Sequence, residues 1–207
     1  SFFKLVGDAS GRNYYRIKSK NKSYILMDSK NEKKQFKKLL EVYNGIKNLD
    51  ISIPKIYSID SDNCVAIIED FGDQRFDNLI YDKKYNNHLI KIAIDSLIYL
   101  KNNINKNSKL NLPTFSYKTF KKEISEFIDW YYPFVHNKKA SALNVKNFYE
   151  VWDSLYKNIE FNFNSFVHKD FFCNNLFFLK NRLGHKKCGI IDYQDACWGE
   201  QSLDIIS

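Results

Sequence analysis

No C-x-x-C pair and no regular spacing relates Cys64, Cys173, Cys188 and Cys197, so neither a zinc site nor a disulfide framework is indicated. A reducing, cytoplasmic setting is therefore the expected one. No apolar run approaches the roughly 20 residues that cross a bilayer, and no internal repeat or low-complexity linker interrupts the chain. The opening Ser1-Phe2-Phe3-Lys4-Leu5 is not a signal peptide and lacks an initiator Met. The closing Ser202-Leu203-Asp204-Ile205-Ile206-Ser207 reads as the start of a helix with no stop signal, so the sequence is expected to be cut at both ends. The formal charge of +8 raises the question of nucleic acid. Yet Lys and Arg are scattered in short groups such as Lys33-Lys34 and Lys37-Lys38, without an arginine-rich arm or zinc-finger spacing. The expectation is a solvated, lysine-rich surface with no nucleic-acid and no membrane partner. A mildly positive field could still gather a polyphosphate substrate.

What is present is the makeup of a folded protein. The chain is 44% hydrophobic and 27% charged, and its 207 residues can bury a core in one large domain or two lobes. Short aromatic or β-branched runs at Phe2–Val6, Tyr14–Lys18 and Tyr24–Met27 read as strands. Phe36, Leu39, Leu40 and Tyr43 then fall at i, i+3, i+4, i+7, an amphipathic helix that Gly45 is expected to end. Past Pro54, the runs Lys55–Ile59 and Val65–Glu69 read as two further strands. Gly72 and its acidic neighbours break the pattern, which puts a lobe boundary in Phe71–Asp77.

The middle of the chain is helical. Leu89, Ile92, Ser96, Leu97 and Leu100 share one face, and Phe120, Ile124, Phe127, Ile128 and Tyr131 share another. Val145, Phe148, Trp152, Leu155 and Ile159 make a third. These stripes, with Trp130, Trp152 and Trp198, are expected to be core, although Trp198 could instead flank an acceptor pocket. Strands return at Ser165–His168, Leu176–Leu179 and Gly189–Asp192 and bracket polar loops.

The chemistry-bearing residues sit on those loops. An apolar strand runs into His168-Lys169-Asp170, four residues separate Asp170 from Asn175, and a second apolar strand follows. Further on, Gly189-Ile190-Ile191-Asp192 ends a third strand on a carboxylate. Taken alone, a His-x-Asp is commonly a turn, a strand-terminal Asp a cap, and Asn174-Asn175 ordinary turn residues. Together they supply what phosphoryl transfer needs. A carboxylate orients a hydroxyl and takes its proton, which suits Asp170. Oxygen ligands hold Mg²⁺ against nucleotide phosphates, which suits Asn175 and Asp192.

H-x-D-x-x-x-x-N followed by I-I-D resembles the aminoglycoside phosphotransferase/choline kinase-like superfamily, relatives of the protein kinases. Leu5-Val6-Gly7-Asp8-Ala9-Ser10-x-Arg12-x-Tyr14-x-Arg16, Ile25-Leu26-Met27-Asp28, Ile68-Glu69-Asp70-Phe71-Gly72-Asp73 and Ile191-Asp192-Tyr193-Gln194-Asp195-Ala196 are similar to bacterial N-acetylmuramate/N-acetylglucosamine anomeric kinases. The resemblance spans nearly the whole chain. It implies an α+β, two-lobed protein-kinase-like fold. Residues 1–72 would form a nucleotide-binding lobe, an antiparallel sheet with one helix, and residues 73–207 a mostly helical catalytic lobe, incomplete at its end. It implies ATP and Mg²⁺ as cofactors and a small-molecule alcohol as acceptor, an amino sugar first. Aminoglycoside, choline or homoserine-type acceptors, or a nucleotide-binding pseudokinase, are the alternatives, and oligomeric state stays open. By the same resemblance Gly7, Asp8, Ser10 and Arg12 belong to the turn over the phosphates, and Glu69 and Phe71 to the hinge that meets adenine. Asp170 is the implied catalytic Asp, His168 and Lys169 support its loop, Asn175 and Asp192 hold the metal, and Asp204 braces the loop from a helix.

Three departures qualify the resemblance. Met27 or Asp28 stands where many members carry a phosphate-gripping strand lysine, which leaves Arg12 or Arg16 to supply the charge. Lys169 replaces a Gly or Arg. Phe172 replaces a commonly polar residue and bears on the acceptor. Glu32 and Glu41 are both candidates for the helix glutamate that pairs with the phosphate-binding cation, and either could be surface charge alone.

Overall fold

The computed structural model describes residues 1–5, 11–20, 22–104, 110–200 and 202–206. Alternating short apolar and polar residues in the N-terminal part pair as an antiparallel sheet. Its strands are β1 (Phe2–Lys4), β2 (Asn13–Ser19), β3 (Lys22–Asp28), β4 (Ile56–Asp60) and β5 (Val65–Glu69), in the order β1-β2-β3-β5-β4. The hairpin of β2 and β3 is paired throughout, from Asn13 opposite Asp28 to Ser19 opposite Lys22. Because the side-chain period is two, Ile25 and Met27 share one face, and Met27 lies opposite Ala66 of β5, also buried.

The helix α1 (Lys33–Ile46) follows a single 3-10 turn at Lys30–Glu32. It buries Phe36, Leu39, Val42 and Ile46, with Leu40 and Tyr43 half-buried against the same core. Gly45 does not end the helix, as the sequence led one to expect. A Cβ at residue 45 would lie 2.5 Å from Leu110 Cδ2 and Cγ, so the glycine is there to admit Leu110.

Past Glu69 the chain leaves the sheet. It enters the helical part through α2 (Phe76–Leu79) and α3 (Asn86–Asn103). The face read for α3 is the buried one: Leu89, Ile92, Ser96, Leu97 and Leu100. Ser96 is tolerated in that core because its hydroxyl donates to the carbonyls of Ile92 and His185, each at 2.9 Å. Next come α4 (Tyr117–Glu126), a π turn at Phe127–Tyr131, α5 (Tyr132–His136) and α6 (Ala142–Lys157). Ser116 and Ser141 cap α4 and α6 by accepting from Thr119 N and Asn144 N, each at 3.2 Å.

Here the structure corrects the expectation of core. Ile128 is the one buried residue among these four elements. The aromatic stripes pack on each other instead, Phe127 stacked on Phe148 at 5.7 Å and Phe120 edge-on to Trp152 at 5.8 Å. Trp130 is 77% exposed and Phe134 82%. Helical spacing identifies a face, and these faces pack largely on one another, with Phe120 also resting on the small cluster of Phe115, Val167 and Cys197.

Four short strands follow: β6 (Ser165–Val167), β7 (Leu176–Phe178), β8 (Cys188–Ile190) and β9 (Cys197–Gly199). They pair antiparallel as β6 with β9 and β7 with β8. β9 was not anticipated from sequence, and Trp198 on it is buried opposite Phe166 in the core rather than beside a pocket. The chain then enters α7 (Ser202–Ile205). Among the described residues no helix is long and apolar enough to cross a membrane.

Candidate active site

A cleft of about 560 Å³ lies between the sheet and the helical part. Leu5, Ile25, Ile68, Phe71, Phe177 and Ile191 give it apolar walls, and Arg12, Arg16, Asn175 and Asp192 give it polar ones. Gly189 lets those walls approach. A Cβ there would meet the Phe71 ring at 2.8 Å and Leu179 at 2.9 Å, so β8 can lie directly under the segment that leaves β5.

The loop after β6 is fixed before its carboxylate reaches the cleft. His168 is buried, with Nε2 at 2.9 Å from the carbonyl of Ile191, and Nδ1 accepts from Asp170 N at 3.3 Å. That pattern suits a neutral ring carrying its proton on Nε2. Burial, only partly offset by the Ile191 carbonyl and Asp192, lowers the imidazole to about 4. Lys169 takes the left-handed backbone at φ 77°, and this turns two consecutive N–H groups the same way. Both donate to Asp204, His168 N to Oδ2 at 2.7 Å and Lys169 N to Oδ1 at 2.8 Å. Burial raises the Asp204 carboxyl to about 6 although those two donors work against it. The Lys169 ammonium points away from Asp170's loop, 2.6 Å from Glu123 and over the Phe115 ring.

Asp170 is half-buried on the loop after β6, its carbonyl hydrogen-bonded to the cleft-lining Asn175. Burial, followed by the charges of Asp192 and Asp195, raises its carboxyl above the ordinary value. Asn175, buried at the end of the 3-10 turn Cys173–Asn175, donates from Nδ2 to the Asp170 carbonyl at 3.0 Å. Its own carbonyl accepts from Ile191 N at 3.0 Å. Asp192 follows in a left-handed conformation, φ 64°, before a 3-10 turn at Tyr193–Asp195. One hydrogen-bonded chain, Asp170 to Asn175 to Ile191 to His168, therefore ties the backbone segments that carry Asp170, Asn175 and Asp192 to one another.

Those donors suit Mg²⁺. With Nδ2 committed to Asp170, the Asn175 amide has its oxygen left for a hard cation, and Asp192 adds a carboxylate. Among the described residues no group of three or more His, Cys, Asp or Glu could hold a metal. Mg²⁺ characteristically takes one or two protein oxygens and completes its shell with phosphate and water.

Two arginines behave differently. Arg12 donates from Nη2 to Asp192 Oδ1 at 2.8 Å and from Nη1 to Gln194 Oε1 at 3.4 Å. Its Nε lies 3.2 Å from Glu32 Oε2, an ion-pair distance without hydrogen-bond alignment. Arg16 instead grips the segment after β5, with Nη1 2.5 Å from Asp73 Oδ1 and Nη2 2.9 Å from Asp70 Oδ1 and 3.0 Å from the Gly72 carbonyl. Asp70 also accepts from Ser23 Oγ and from Gly72 N. Burial works against its charge, but these donors hold its carboxyl below the ordinary range.

Of the expected hinge residues, Glu69 directs its carboxylate to Lys55 N at 3.2 Å and Arg182 at 2.5 Å, while Phe71 lines the cleft beneath the Arg182 guanidinium. Gly7, Asp8 and Ser10 lie outside the described residues. Of the two candidate glutamates, Glu32 lies against Arg12 and Glu41 is exposed. Sequence reasoning assigned no role to Gln194, Asp195, Glu123 or Arg182. Gln194 and Asp195 were within sight, since they directly follow Asp192 and Tyr193. Asp195 accepts from Gln35 and Lys38 and ties α1 to the Asp192 segment.

The N-acetylmuramate/N-acetylglucosamine kinase of Pseudomonas aeruginosa is 23% identical over 202 residues, 96% of this chain and 56% of that protein. The enzyme of the same name from Neisseria meningitidis serogroup B is 27% identical over 212 residues, 98% of this chain and 59% of that protein. The chain thus spans somewhat over half the length of these relatives. Among solved structures, the streptomycin–ATP complex of the aminoglycoside phosphotransferase APH(2")-IIa superposes with TM-score 0.64 at 16% identity, covering 100% of this chain and 69% of that one. Choline kinase LicA from Streptococcus pneumoniae does so with TM-score 0.64 at 15% identity, covering 99% and 66%. The fold is therefore the two-lobed, protein-kinase-like fold of these phosphotransferases. Residues 29–207 match the ecdysteroid kinase-like family, and the chain belongs to that family.

Proposed function

We propose that this chain carries the nucleotide site and phosphoryl-transfer centre of an ATP-dependent small-molecule kinase whose acceptor is a hydroxyl of an amino sugar. The observation that carries the reading is the hydrogen-bonded chain that ties the backbone of Asp170, through Asn175, to Ile191 and so to the segment bearing Asp192, with Asn175 and Asp192 lining the cleft. Residues 1–72 are the nucleotide-binding lobe and 73–207 the catalytic lobe. The adenine lies between the apolar walls, against the backbone of Glu69 to Phe71. Asp170 accepts the acceptor's hydroxyl proton and aligns its oxygen with the γ-phosphorus, a task that suits a half-buried carboxylate with a raised pKa. Asn175 and Asp192 hold Mg²⁺, which when bound neutralises phosphate charge and eases departure of ADP. His168, neutral and buried, holds the loop and takes no proton in the reaction. Catalysis is then mainly positioning and charge neutralisation. Because the nucleotide is the phosphoryl donor, the cytoplasm is the compartment this reading requires.

The relatives named for N-acetylmuramate and N-acetylglucosamine support the amino sugar as acceptor. The test is ADP release, with ATP and Mg²⁺, across N-acetylmuramate, N-acetylglucosamine, an aminoglycoside, choline and homoserine. The phosphorylated position is read by phosphorus NMR. Turnover with the N-acetylated sugars at the anomeric hydroxyl is the expected result. Turnover confined to another alcohol would overturn the acceptor, and nucleotide binding without turnover on any would overturn the kinase in favour of a pseudokinase.

A further inference from the structure

β3 sends no cation into the cleft. Met27 is buried in the core, and Asp28 turns back to accept from Lys30 N at 3.2 Å. Among the described residues three cationic side chains line the cleft: Arg12, Arg16 and Arg75. Arg75 is held in a two-pronged pair with Asp77, Nε to Oδ1 at 2.8 Å and Nη2 to Oδ2 at 2.6 Å. Arg16 is committed to Asp70, Asp73 and the Gly72 carbonyl, all in the segment that leaves the sheet. Arg12 alone of the three reaches Asp192.

The surroundings of Arg12 are those of a cation held ready for exchange. It is buried, 8% exposed, and its guanidinium has five donors in a rigid fork suited to phosphate oxygens. The Nη2 contact with Asp192 is short, the Nη1 contact with Gln194 is long, Nε is misaligned on Glu32, and the Tyr14 hydroxyl lies against the same guanidinium. Glu32 anchors the group twice. Its Oε2 faces Arg12 Nε, and its Oε1 accepts from Gly11 N at 2.8 Å, which fixes the backbone that carries the arginine. Burial works against the charge of Arg12, but Tyr14, Asp192 and Glu32 outweigh it, so it stays cationic.

We propose that Arg12, delivered from the start of β2 and anchored by Glu32, is the cation that grips the nucleotide phosphates. In this arrangement it releases Asp192 as the phosphates and their divalent cation arrive. The inference rests on Asp192 and Asn175 as the metal-holding pair. Asp192 and Glu32 place two carboxylates against a single guanidinium, and the charge of Asp192 also reaches Asp170, a surplus of negative charge that repels a bare polyphosphate and welcomes a cation-bound one. Once the cation takes Asp192, the best-formed contact of Arg12 is open to a phosphate oxygen. Arg16, by contrast, positions the segment against which the base lies.

The test is equilibrium binding of ATP and of adenosine, by calorimetry with Mg²⁺ and with EDTA, in the parent protein and in Arg12→Ala, Arg12→Lys and Arg16→Ala. Arg12→Ala should weaken Mg²⁺–ATP binding by at least about tenfold, the scale of a charge-assisted contact, and leave adenosine within about twofold. Arg12→Lys should recover part of that loss, which guards against mere misfolding. Arg16→Ala should weaken ATP and adenosine alike. Equal losses for both ligands in Arg12→Ala, or none, would overturn the assignment. A parent protein that binds neither ligand would instead overturn the kinase reading beneath it.

Discussion

His168 and Asp204 hold the same loop and should respond to acid in opposite directions. The imidazole is lowered from 6.5 to about 4, so it contributes stability that is fully present above pH 6.5 and lost as pH falls towards 4. At about 1.4 kcal/mol per pH unit the loss is roughly 3 kcal/mol. The Asp204 carboxyl is raised from 3.8 to about 6, so its contribution is fully present below pH 3.8 and lost as pH rises through 6. That is also roughly 3 kcal/mol, in the opposite sense. Over pH 4 to 6.5 the two nearly cancel, and the pair adds little acid lability to the parent protein. His168→Gln separates them, because the glutamine amide can still donate to the Ile191 carbonyl but cannot titrate near neutrality. Urea unfolding of both proteins from pH 4 to 7.5 is the assay, and their difference isolates the imidazole because every other group titrates in both. The variant should be the less stable at pH 7.5, and the gap should shrink by roughly 3 kcal/mol at pH 4. A gap that stays constant across this range would refute a buried, neutral His168.

Two further outcomes follow from the geometry. Asp170→Asn should reduce turnover by about 10² to 10⁴-fold while nucleotide affinity changes little, and the parent's rate should fall on acidification with a midpoint above the ordinary 3.8, as kcat against pH will show. Gly45→Ala should lower thermal stability by about 1 kcal/mol even though alanine is the better helix former, because the new methyl strikes Leu110. Combining it with Leu110→Val should restore much of the loss, and an unchanged midpoint in the single variant would refute the close approach.

The sheet and its helix were legible because both periods are local: alternation in β2, β3 and β5, and three-to-four spacing in α1. The candidate catalytic loop was legible for a related reason, since Asp170 and Asn175 lie on the one loop between β6 and β7, and Asp192 follows β8 closely. What escaped was set by long-range packing. Nothing near Glu32 distinguishes it from Glu41, and the choice rests on where Arg12 falls across the cleft. The contact of Arg12 with Asp192 joins residues 180 apart in sequence. β9 is three residues long, and only its pairing with β6 makes it a strand. In α4 and α6 the spacing gave the helices correctly, while their burial depends on neighbours that spacing does not record. Gly45 misled for the converse reason: a usual helix terminator was needed as a gap for Leu110.

The brace from Asp204 has a consequence for how the molecule is made. Both N–H groups that it satisfies belong to residues more than thirty positions earlier, and β6 finds its strand partner only in β9. As the chain emerges during synthesis, the sheet with α1 can assemble from its own residues, whereas the loop bearing Asp170 has no fixed shape until α7 has followed. The scaffold can form first, and the Asp170 carboxylate is set in place only once α7 has followed.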